Sequence, residues 1–362
     1  MNELGAMHIC FLARGSFSHL PAFVEFFRRR GHRVSLIRLD PFPMEDVENH
    51  SAAVGSFDPV RGKWKVPLHF PRVLWHVWRL RPDILHAHYA TSAGLLGALT
   101  GFSPLVVTCH GSDVMLGGAD PLRRLALRMA FARASVVHVV SDDLRGRALS
   151  MGAAPDRIFV SNVGVMADTL SGDRPFREAG PVHILWTRKL EPIYDPVTLI
   201  ESLASFKERR REFVCTMAAG GVLEDQLRAL VRRRDLESHV RFLGGFGQLQ
   251  LRALLMSADV YVSCALSDGA SLALLEAMAG GLFPVVVDIP ANREWVVPGD
   301  NGLLFPPGDA RGLAEALEEA SRMRSCWRRV ARHNGELVML RGDRDKNLGE
   351  LESVYRRLVR SR

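Results

Sequence analysis

The sequence predicts an α/β fold with parallel sheets, and three observations support this prediction. Short apolar or β-branched runs recur along the chain, a Gly-rich or polar turn follows each of them, and a helical pattern comes next. Strands that alternate with helices in this way form right-handed βαβ units, whose sheets are covered on both faces. The 362 residues are 47% hydrophobic and 24% charged, which suits about two globular domains of roughly 150 residues each.

The predicted strands fall into two groups along the chain. The first group is 8–13, 33–39, 84–88, 105–109, 136–140 and 158–161. The second group is 183–187, 213–218, 240–243, 260–264 and 284–288. A polar, irregular segment between about residues 165 and 181 separates the groups and is typical of a domain boundary. We therefore expect one domain at 1–172 and a second at 173–340.

The C-terminal end has helical periodicity from Cys326 to Arg362, with apolar residues spaced for one face. No strand follows it. We expect its last part, 341–362, to be a helix that packs on a domain already formed.

The charge balance favours anionic partners. Forty-seven basic residues, 42 of them Arg, stand against 40 acidic ones and leave a formal charge of +7. Phosphate-bearing substrates, membrane surfaces and nucleic acid all fit such a surplus. No recognised nucleic-acid-binding motif accompanies the charge, so we expect no nucleic-acid partner.

The stretch between Arg61 and Arg81 contains six basic residues and no acid, with Trp64, Trp75 and Trp78 interleaved. This mixture predicts a peripheral contact with an anionic membrane or a lipid-phosphate acceptor. The alternative is a solvated basic face over a buried Trp stripe.

The cysteines and the N-terminus indicate a reduced, cytoplasmic setting. The five cysteines lie far apart without a CxxC pair, so neither a disulfide framework nor a zinc site is predicted. The N-terminus lacks the pattern of a secretory signal. Glycines and a proline interrupt the longest uncharged stretch, 84–112, which we interpret as strand, helix and strand. Any membrane contact is therefore expected at the inner face.

The segment 260–281 carries the strongest chemical signal. It is predicted to be a strand, a loop that holds Asp268 and Gly269, and a helix that starts near Ser271. The buried side of that helix should carry Leu272, Leu275 and Met278. Glu276 then lies one to two turns inside the helix, near the sheet edge where ligands of doubly wound folds bind. Two carboxylates placed in this way suit a ligand with a sugar and a ribose; the alternative is an N-capping Asp268 and an exposed Glu276.

Two further positions follow predicted strands. His110 comes directly after the strand 105–109, where an imidazole can hydrogen-bond a sugar hydroxyl. Gly15 and Ser16 follow the first strand and would let the backbone approach a phosphate, although tight strand-to-helix turns commonly need Gly as well.

The ordered set of motifs resembles the retaining GT-B glycosyltransferases of glycosyltransferase family 4. The motifs are SDGASLALLE at 267–276, like that family's two carboxylates separated by seven residues, NREWV at 292–296, GDNGLLFPPGD at 299–309, HGSD at 110–113, SDD at 141–143 and NVGV at 162–165. The resemblance spans nearly the whole chain. It implies two Rossmann-like domains facing across a cleft, an N-terminal acceptor domain, a C-terminal nucleotide-sugar domain, and a last helix that returns to the first domain.

The resemblance also assigns roles to the 267–276 motif. Glu276 should bind the donor's ribose, and Asp268 should meet hydroxyls of the transferred sugar. The backbone of Gly269, Ala270, Ser271 and Leu272 should assist in donor binding. The family usually has Glu followed by a Gly-Phe-Gly-like sequence here, whereas this chain has Asp268 followed by Gly-Ala-Ser.

For the leaving diphosphate, the family uses an Arg after the first strand of the second domain and a Lys several residues later. Arg188 occupies the Arg position, with Lys189 adjacent, and the Lys position falls near the uncharged Tyr194. The resemblance thus implies His110, Arg188 and Asp268 as catalytic residues. It implies no metal and no cofactor other than the donor, most simply UDP- or GDP-linked.

The implied function is retaining transfer of a sugar to a glycan, lipid-linked or small-molecule acceptor, as in polysaccharide biosynthesis. One alternative is a sugar-nucleotide epimerase, because such enzymes share the two-domain cleft. A second is a nucleotide-sugar-binding protein with weakened catalysis, suggested by Tyr194. An NAD dehydrogenase is disfavoured because no G-x-G-x-x-G follows the first strand.

Overall fold

The structure is a computed structural model that describes residues 5–14, 19–54, 68–115, 120–170, 174, 176–209 and 212–361, with the backbone alone at 248–249. The chain divides into two compact units. Unit 1 consists of Met1–Val163 and Asp345–Arg362, and unit 2 of Gly164–Arg344. The unit boundaries therefore fall between residues 163 and 164 and between residues 344 and 345. The sequence analysis expected them between residues 172 and 173 and between residues 340 and 341.

Unit 1 is built on a wholly parallel sheet. Its strands are β1 (His8–Ala13), β2 (Arg33–Arg38), β3 (Glu48–Ser51), β4 (Ile84–His88), β5 (Leu105–Cys109), β6 (Val136–Val139) and β7 (Ile158–Val160). They are arranged in the order β3-β2-β1-β4-β5-β6-β7. Strands β4 and β5 are buried along their whole length, as expected for central strands covered on both faces.

The helices of unit 1 connect these strands. They are α1 (Leu20–Arg29), α2 (Phe70–Leu80), α3 (Leu95–Leu99), α4 (Ser112–Met115), α5 (Pro121–Arg133) and α6 (Asp142–Ser150). A π-helical turn at Tyr89–Gly94 leads from β4 into α3. The strand, helix and strand predicted for 84–112 are thus confirmed.

Unit 2 repeats the architecture with a six-stranded parallel sheet. Its strands are β8 (Val182–Trp186), β9 (Phe213–Met217), β10 (Val240–Phe242), β11 (Val260–Ser263), β12 (Phe283–Val287) and β13 (Leu303–Phe305), in the order β10-β9-β8-β11-β12-β13. Its helices are α7 (Ala167–Leu170), α8 (Pro196–Glu208), α9 (Glu224–Arg233), α10 (Gln248–Ser257), α11 (Leu272–Ala279), α12 (Pro290–Arg293), α13 (Ala310–Arg322) and α14 (Trp327–Arg341). The prediction of two parallel-sheet α/β domains is confirmed.

The continuous helix predicted from Cys326 to the C-terminus is wrong. Helix α14 ends at Arg341 and a separate helix, α15 (Arg344–Arg360), follows. Between them Asp343 forms a β-bridge with Val165, and the Val165 amide donates to the Gly342 carbonyl at 2.8 Å. The helix breaks because this backbone pairs with the 164–165 segment instead of continuing its own ladder.

Helix α15 packs on α1 within unit 1. The rings of Phe27 and Tyr355 stack with centroids 5.2 Å apart, and the buried Glu352 carboxylate contacts Arg30 and lies 3.2 Å from His32 Nε2. The Arg and His partners lower the pKa of Glu352 although its burial acts in the opposite direction. Both apolar contact and charge therefore fix the C-terminal helix.

Two elements and one alternative differ from the sequence-based expectations. Strand β3 is the polar edge segment ENHS and lacks the apolar run by which strands were predicted. Strand β13 is the apolar run LLF, but it is only three residues long and was not among the predicted strands. The alternative of a buried Trp stripe is wrong for the described residues, because Trp75 and Trp78 are 55% and 53% exposed. Trp64 lies outside the described residues.

Among the described residues, no helix has the length and apolar content needed to cross a membrane. All five cysteines are free, and all but Cys326 are buried.

Candidate active site

The central strands of unit 2 create a switch in strand order. From β8 the chain proceeds to β9 on one side, whereas β11 pairs with β8 on the other. Ligands of doubly wound sheets bind outside the carboxyl ends of strands at such a point. The loops after β8 and β11 are joined there by a hydrogen bond, which the Leu266 amide donates to the Ile193 carbonyl at 2.9 Å.

Arg188 and Asp268 meet at this edge of the sheet. Arg188 follows β8, Asp268 follows β11, and Arg188 Nη2 lies 2.8 Å from Asp268 Oδ2. Both side chains are sheltered, at 14% and 13% exposure. The guanidinium carbon also lies 4.3 Å from the centre of the Tyr194 ring, a favourable cation–π arrangement. The predicted Arg, the predicted sugar-side carboxylate and the residue at the Lys position therefore form one cluster.

The backbone around Arg188 is held in place. The Trp186 indole donates to the Arg188 carbonyl at 2.5 Å, and the Leu190 amide donates to the Gly220 carbonyl at 3.0 Å. Next to it, a Cβ at Gly221 would collide with the Leu190 backbone. Glycine is required there because the two loops lie in contact. The guanidinium is thus carried on a rigid loop.

Helix α11 begins in the same region. Its N-cap is Ser271, whose side chain makes no capping hydrogen bond and whose buried hydroxyl has no hydrogen-bond partner. No backbone acceptor is recorded within the described residues for the amides of Gly269, Ala270 and Ser271. The alternative of an N-capping Asp268 is therefore wrong, since that carboxylate pairs with Arg188 instead. Free amides at a helix start attract anions.

Glu276 lies further along α11 and is half-buried. Desolvation raises the pKa of its carboxyl to about 7, and the charges of Arg344 and Arg188 partly oppose the rise. The alternative of a solvent-exposed Glu276 is wrong. A carboxylate in this setting gains from hydroxyl donors that replace lost water.

Four other residues of unit 2 add to this description. Lys189 is exposed, beyond the end of β8, and Leu272 is half-buried where full burial was expected; Leu274 is buried instead. Tyr261 on β11 was not among the predicted residues. Its side chain is fully buried, and burial raises the pKa of its hydroxyl. The apolar run that predicted β11 gives no sign that this tyrosine matters.

In unit 1, His110 lies at the carboxyl end of β5 and is paired with a second histidine. His110 Nε2 is 2.9 Å from His88 Nδ1, and the two rings stack. Tyr89, with a centroid 5.0 Å from that of His110, has a positive φ of 75°, which is rare for a bulky residue. Asp113 fixes the loop by accepting hydrogen bonds from the amides of His110, Gly111 and Ala90.

Behind His110 runs a buried polar chain that the sequence did not suggest. Tyr355 Oη lies 2.5 Å from His86 Nδ1, and His86 Nε2 lies 2.5 Å from Thr108 Oγ1. Thr108 Oγ1 then contacts His138 Nδ1 at 2.9 Å. Burial lowers the pKa of His86, His88 and His110 well below 6.5 and that of His138 to about 4. These imidazoles are therefore neutral at pH 7.

Two family models match the chain, one in each half. Glycosyltransferase Family 4 matches residues 13–168, and Glycosyl transferases group 1 matches residues 175–334. Anabaena Alr3699/HepE, solved in complex with UDP and glucose, superposes with a TM-score of 0.79 at 19% identity, over 96% of this chain and 100% of that one. Sucrose-phosphate synthase from Thermosynechococcus elongatus gives 0.82 at 17% identity, over 98% and 100%.

This chain has the GT-B fold, and each of its halves matches a glycosyltransferase family model. The phosphatidyl-myo-inositol mannosyltransferase of Mycolicibacterium smegmatis is 27% identical over 315 residues, 84% of this chain and 80% of the relative. The amylovoran biosynthesis glycosyltransferase AmsK of Erwinia amylovora is 26% identical over 247 residues, 65% of this chain. The matched region spans 60% of the length of AmsK and 62% of the WcaL proteins of Salmonella typhimurium and Escherichia coli.

The remaining motif residues hold the backbone of the chain. Gly164, with φ of 75°, leaves no room for a Cβ against the backbone of Gly342 and Arg344. Asn301 is buried and bonds the Trp295 carbonyl, the Val297 amide and Asn334. The NVGV and GDNG motifs are thus structural within the described residues.

Gly15 and Ser16 lie outside the residues that the structure describes. Among those it does describe, no group of three or more His, Cys, Asp or Glu side chains is arranged to hold a metal ion.

Proposed function

We propose that this chain is a glycosyltransferase that moves a sugar from a nucleotide-sugar donor, UDP- or GDP-linked, to a hydroxyl of a glycan, lipid-linked or small-molecule acceptor. The transfer retains the anomeric configuration and uses no metal ion. The observation that carries the proposal is the sheltered Arg188–Asp268 pair at the switch point, on the same edge as the start of α11. The names of two similar proteins support it, one solved with UDP and glucose and one a mannosyltransferase.

Each part of a nucleotide sugar has a chemically matched group in unit 2. The half-buried Glu276 carboxylate accepts hydrogen bonds from the ribose hydroxyls. The amides of Gly269, Ala270 and Ser271 receive the diphosphate at the start of α11, and Asp268 accepts from hydroxyls of the sugar. Arg188 supplies the positive charge beside the phosphates.

The donor changes the partners of Arg188 and Asp268. In the free protein these two charges form an ion pair at 2.8 Å. A bound donor brings phosphate oxygens for the guanidinium and hydroxyl donors for the carboxylate, so the cost of loosening the pair is offset at both ends. Recognition of the diphosphate and of the sugar is therefore coupled.

In the transfer step the acceptor oxygen attacks the anomeric carbon on the face from which the phosphate departs. The bond between that carbon and the phosphate oxygen breaks, and its electron pair leaves with the nucleoside diphosphate. The acceptor's proton passes to the departing phosphate oxygen. Arg188 and the α11 amides stabilise the charge that grows on the leaving group.

In unit 1, His110 binds a hydroxyl of the sugar, and its ring is oriented by His88. Gly15 and Ser16 are assigned to the donor phosphates from the sequence alone. The Arg61–Arg81 contact with an anionic membrane also stays a proposal. Residues 61–67 of that stretch lie outside the described residues.

Two alternatives follow from specific features. An epimerase would convert or hydrolyse the donor without an acceptor, and the Arg188–Asp268 pair beside Glu276 favours transfer over it. A binding protein with weakened catalysis is suggested by Tyr194, which brings no charge to the diphosphate.

A thermal-shift screen of UDP-, GDP- and ADP-sugars tests the proposal first. A ligand at about 100 times its dissociation constant adds about 2.7 kcal/mol to the free energy of unfolding. The stabilising donor is then incubated with acceptor pools, with and without EDTA, and the anomeric configuration of the product is read by NMR. Acceptor-dependent release of nucleoside diphosphate, unchanged by EDTA, is expected; release without acceptor favours the epimerase, and binding without release favours the binding protein.

A further inference from the structure

Glu276 has to carry a charge in surroundings that disfavour one. It is half-buried on α11, and this burial opposes ionisation of its carboxyl. In the proposed function the ionised group accepts hydrogen bonds from the ribose hydroxyls. A protonated carboxyl would turn one of its oxygens into a donor and lose part of that capacity. Donor binding at neutral pH therefore needs a cation close to Glu276.

Arg188 acts on Glu276 but is committed to other partners. Its guanidinium lies 2.8 Å from the Asp268 carboxylate, whose negative charge offsets part of its field at Glu276. In the proposed function a bound donor turns Arg188 towards the diphosphate, which brings further negative charge to the site. Arg188 alone is therefore a poor counter-charge for Glu276 while the donor is bound.

Arg344 supplies a second positive charge. It is the last residue of unit 2 and lies at the break between α14 and α15. Its charge acts on the Glu276 carboxyl more strongly than that of Arg188. Arg344 was not among the residues predicted from the sequence, because it is far from Glu276 along the chain and no motif contains it.

The backbone holds Arg344 firmly against the segment 164–165. The Arg344 amide donates to the Val165 carbonyl at 3.0 Å, and Arg344 Nε donates to the Gly164 carbonyl at 3.4 Å. The approach is close, since a Cβ at Gly164 would lie 2.7 Å from both the backbone nitrogen and the Cα of Arg344. The start and the head of this side chain are thus both anchored.

The segment 164–165 in turn packs beside α11. Val165 belongs to the same apolar cluster as Leu274, Leu275 and Met278 of α11. Helix α7 begins two residues after Val165 and packs against both α11 and α14, which also contact each other. Arg344, bonded to this segment, therefore lies beside the helix that carries Glu276. This placement comes from packing alone and does not depend on the charges.

Other titratable groups around α11 do not act on Glu276. Within the described parts of the chain, the charges that act on its carboxyl are those of Arg344 and Arg188, and not that of Asp343. Tyr261 on β11 is protonated at pH 7, because burial raises its pKa, and Arg341 lies over the Trp295 ring. The titratable residues of α7, α10 and the rest of α14 are exposed: Asp168, Arg252, Arg328, Arg329, Arg332, His333 and Glu336.

We propose that Arg344 is a positioning residue of the donor site that acts through Glu276, by stabilising the ionised carboxylate that the ribose hydroxyls of the donor require. The identity of the ligand rests on the proposed function, whereas the action of Arg344 on Glu276 does not. The proposal also gives Gly164 of the NVGV motif a part in the site, since a Cβ there would push Arg344 away.

Carbon NMR of the side-chain carboxyls in the donor-free full chain tests the first step. The Glu276 signal is assigned by its loss in Glu276→Gln. Arg344→Gln should raise the titration midpoint of Glu276 by about one pH unit, because a nearby opposite charge lowers a carboxyl pKa by about 1–3. Arg344→Lys keeps the charge and should stay close to wild type. The matched control, Arg332→Gln, removes the same charge at an exposed position of α14 and should leave the midpoint unchanged.

Calorimetric donor titrations test the second step. At pH 7 Arg344→Gln should bind the donor about fivefold more weakly than wild type, because a midpoint one pH unit higher leaves about a tenth of Glu276 ionised instead of about half. At pH 9 the two proteins should bind almost equally. In the Glu276→Gln background, Arg344→Gln should cause no further loss, since its action passes through the carboxylate.

Three results would overturn the proposal. One is an unchanged Glu276 midpoint in Arg344→Gln, and another is an equal rise in Arg344→Lys. The third is an equal loss of donor affinity from Arg344→Gln in the Glu276→Gln background, which would make Arg344 a direct donor contact.

Failure of the proposed function would look different. A wild type that binds no nucleotide sugar would refute that function, and the NMR midpoints would still decide whether Arg344 acts on Glu276. Circular dichroism checks the folding of each variant. Arg344→Met, which keeps an unbranched side chain without the charge, takes the place of Arg344→Gln if the latter does not fold.

Discussion

Arg188 Nη2 lies 2.8 Å from Asp268 Oδ2, although 80 residues separate the two in sequence. The loops after β8 and β11 bring them together, and Tyr194 covers the guanidinium. A sheltered pair of this kind has lost much of its hydration. A ligand that offers phosphate to one partner and hydroxyls to the other therefore finds both groups already placed.

Arg188→Ala should lower turnover by about 100- to 1,000-fold, the usual effect of removing one group that stabilises a leaving charge. Donor affinity should change less, because the interaction strengthens as the phosphate bond breaks. Steady-state kinetics and calorimetric donor binding measure the two effects. Arg228 is a matched control, since it also pairs with a carboxylate, Glu224, and stacks over an aromatic ring, Phe242. Equal turnover in wild type and Arg188→Ala would remove Arg188 from the chemistry.

In the free protein Tyr194 contacts the Arg188 guanidinium through its aromatic ring. Tyr194→Phe keeps the ring and should keep most of the turnover, whereas Tyr194→Ala should lose roughly 3- to 30-fold, since a sheltered cation–π contact contributes about 0.5–2 kcal/mol. If Tyr194→Phe were as impaired as Tyr194→Ala, the hydroxyl would be the active part, as in a direct hydrogen bond to a phosphate. If wild type showed no transfer activity and Tyr194→Lys gained it, the binding-protein alternative would be supported.

Glu276→Gln should weaken donor binding and abolish its dependence on pH. With the carboxyl pKa near 7, wild-type affinity should rise between pH 6 and 8 as the carboxylate forms. Affinity of the Gln variant should stay low and flat. Calorimetric titrations at pH 6, 7 and 8 separate the two cases, and an unchanged dissociation constant in the variant would contradict the ribose assignment.

The raised pKa of Glu276 also predicts that stability changes with pH in the opposite direction to donor affinity. A carboxyl pKa raised from 4.5 to about 7 means that the folded chain holds the proton more tightly than the unfolded chain. The free energy of unfolding therefore falls as pH rises from about 4.5 to 7, by about 3 kcal/mol from this group. Glu276→Gln should accordingly be more stabilising at pH 8 than at pH 5. If Glu276→Gln loses donor affinity while it gains stability, the loss of affinity does not come from misfolding.

The buried chain behind His110 predicts a stability effect in unit 1. Tyr355→Phe removes the hydroxyl 2.5 Å from His86 Nδ1 and leaves a buried ring nitrogen unpaired, which costs about 1–3 kcal/mol. Denaturant titration measures the change. An unchanged free energy of unfolding in Tyr355→Phe would mean that the Tyr355–His86 bond contributes nothing of its own.

Much of the fold could be predicted because apolar runs bounded by turns mark central strands. Strands β1, β4 and β5 begin and end where the sequence places them. The edge strand β3 could not be predicted, since its ENHS sequence buries little and has no alternation. The break between α14 and α15 depends on a pairing of Asp343 with Val165, which no local pattern reveals.

Part of the candidate site could be predicted from the sequence for a similar reason. Positions after strands share one sheet edge, so Arg188 and Asp268 were expected near the donor. Their pairing, and the support of Arg188 by the Tyr194 ring, depend on loop conformations. The buried imidazoles of His86 and His138 lie in strands that are otherwise apolar, where a histidine resembles any core residue. Only the bonds to Thr108 show that they form a chain.

Hydrogen–deuterium exchange with the stabilising donor tests the central claim, that the donor binds at the carboxyl ends of β8 and β11, most directly. Slower exchange is predicted for the backbone at 187–195 and 266–276, including the amides of Gly269, Ala270 and Ser271, with no change along α9 or α13 of the same unit. Stabilisation by the donor with protection confined to other segments would contradict the account.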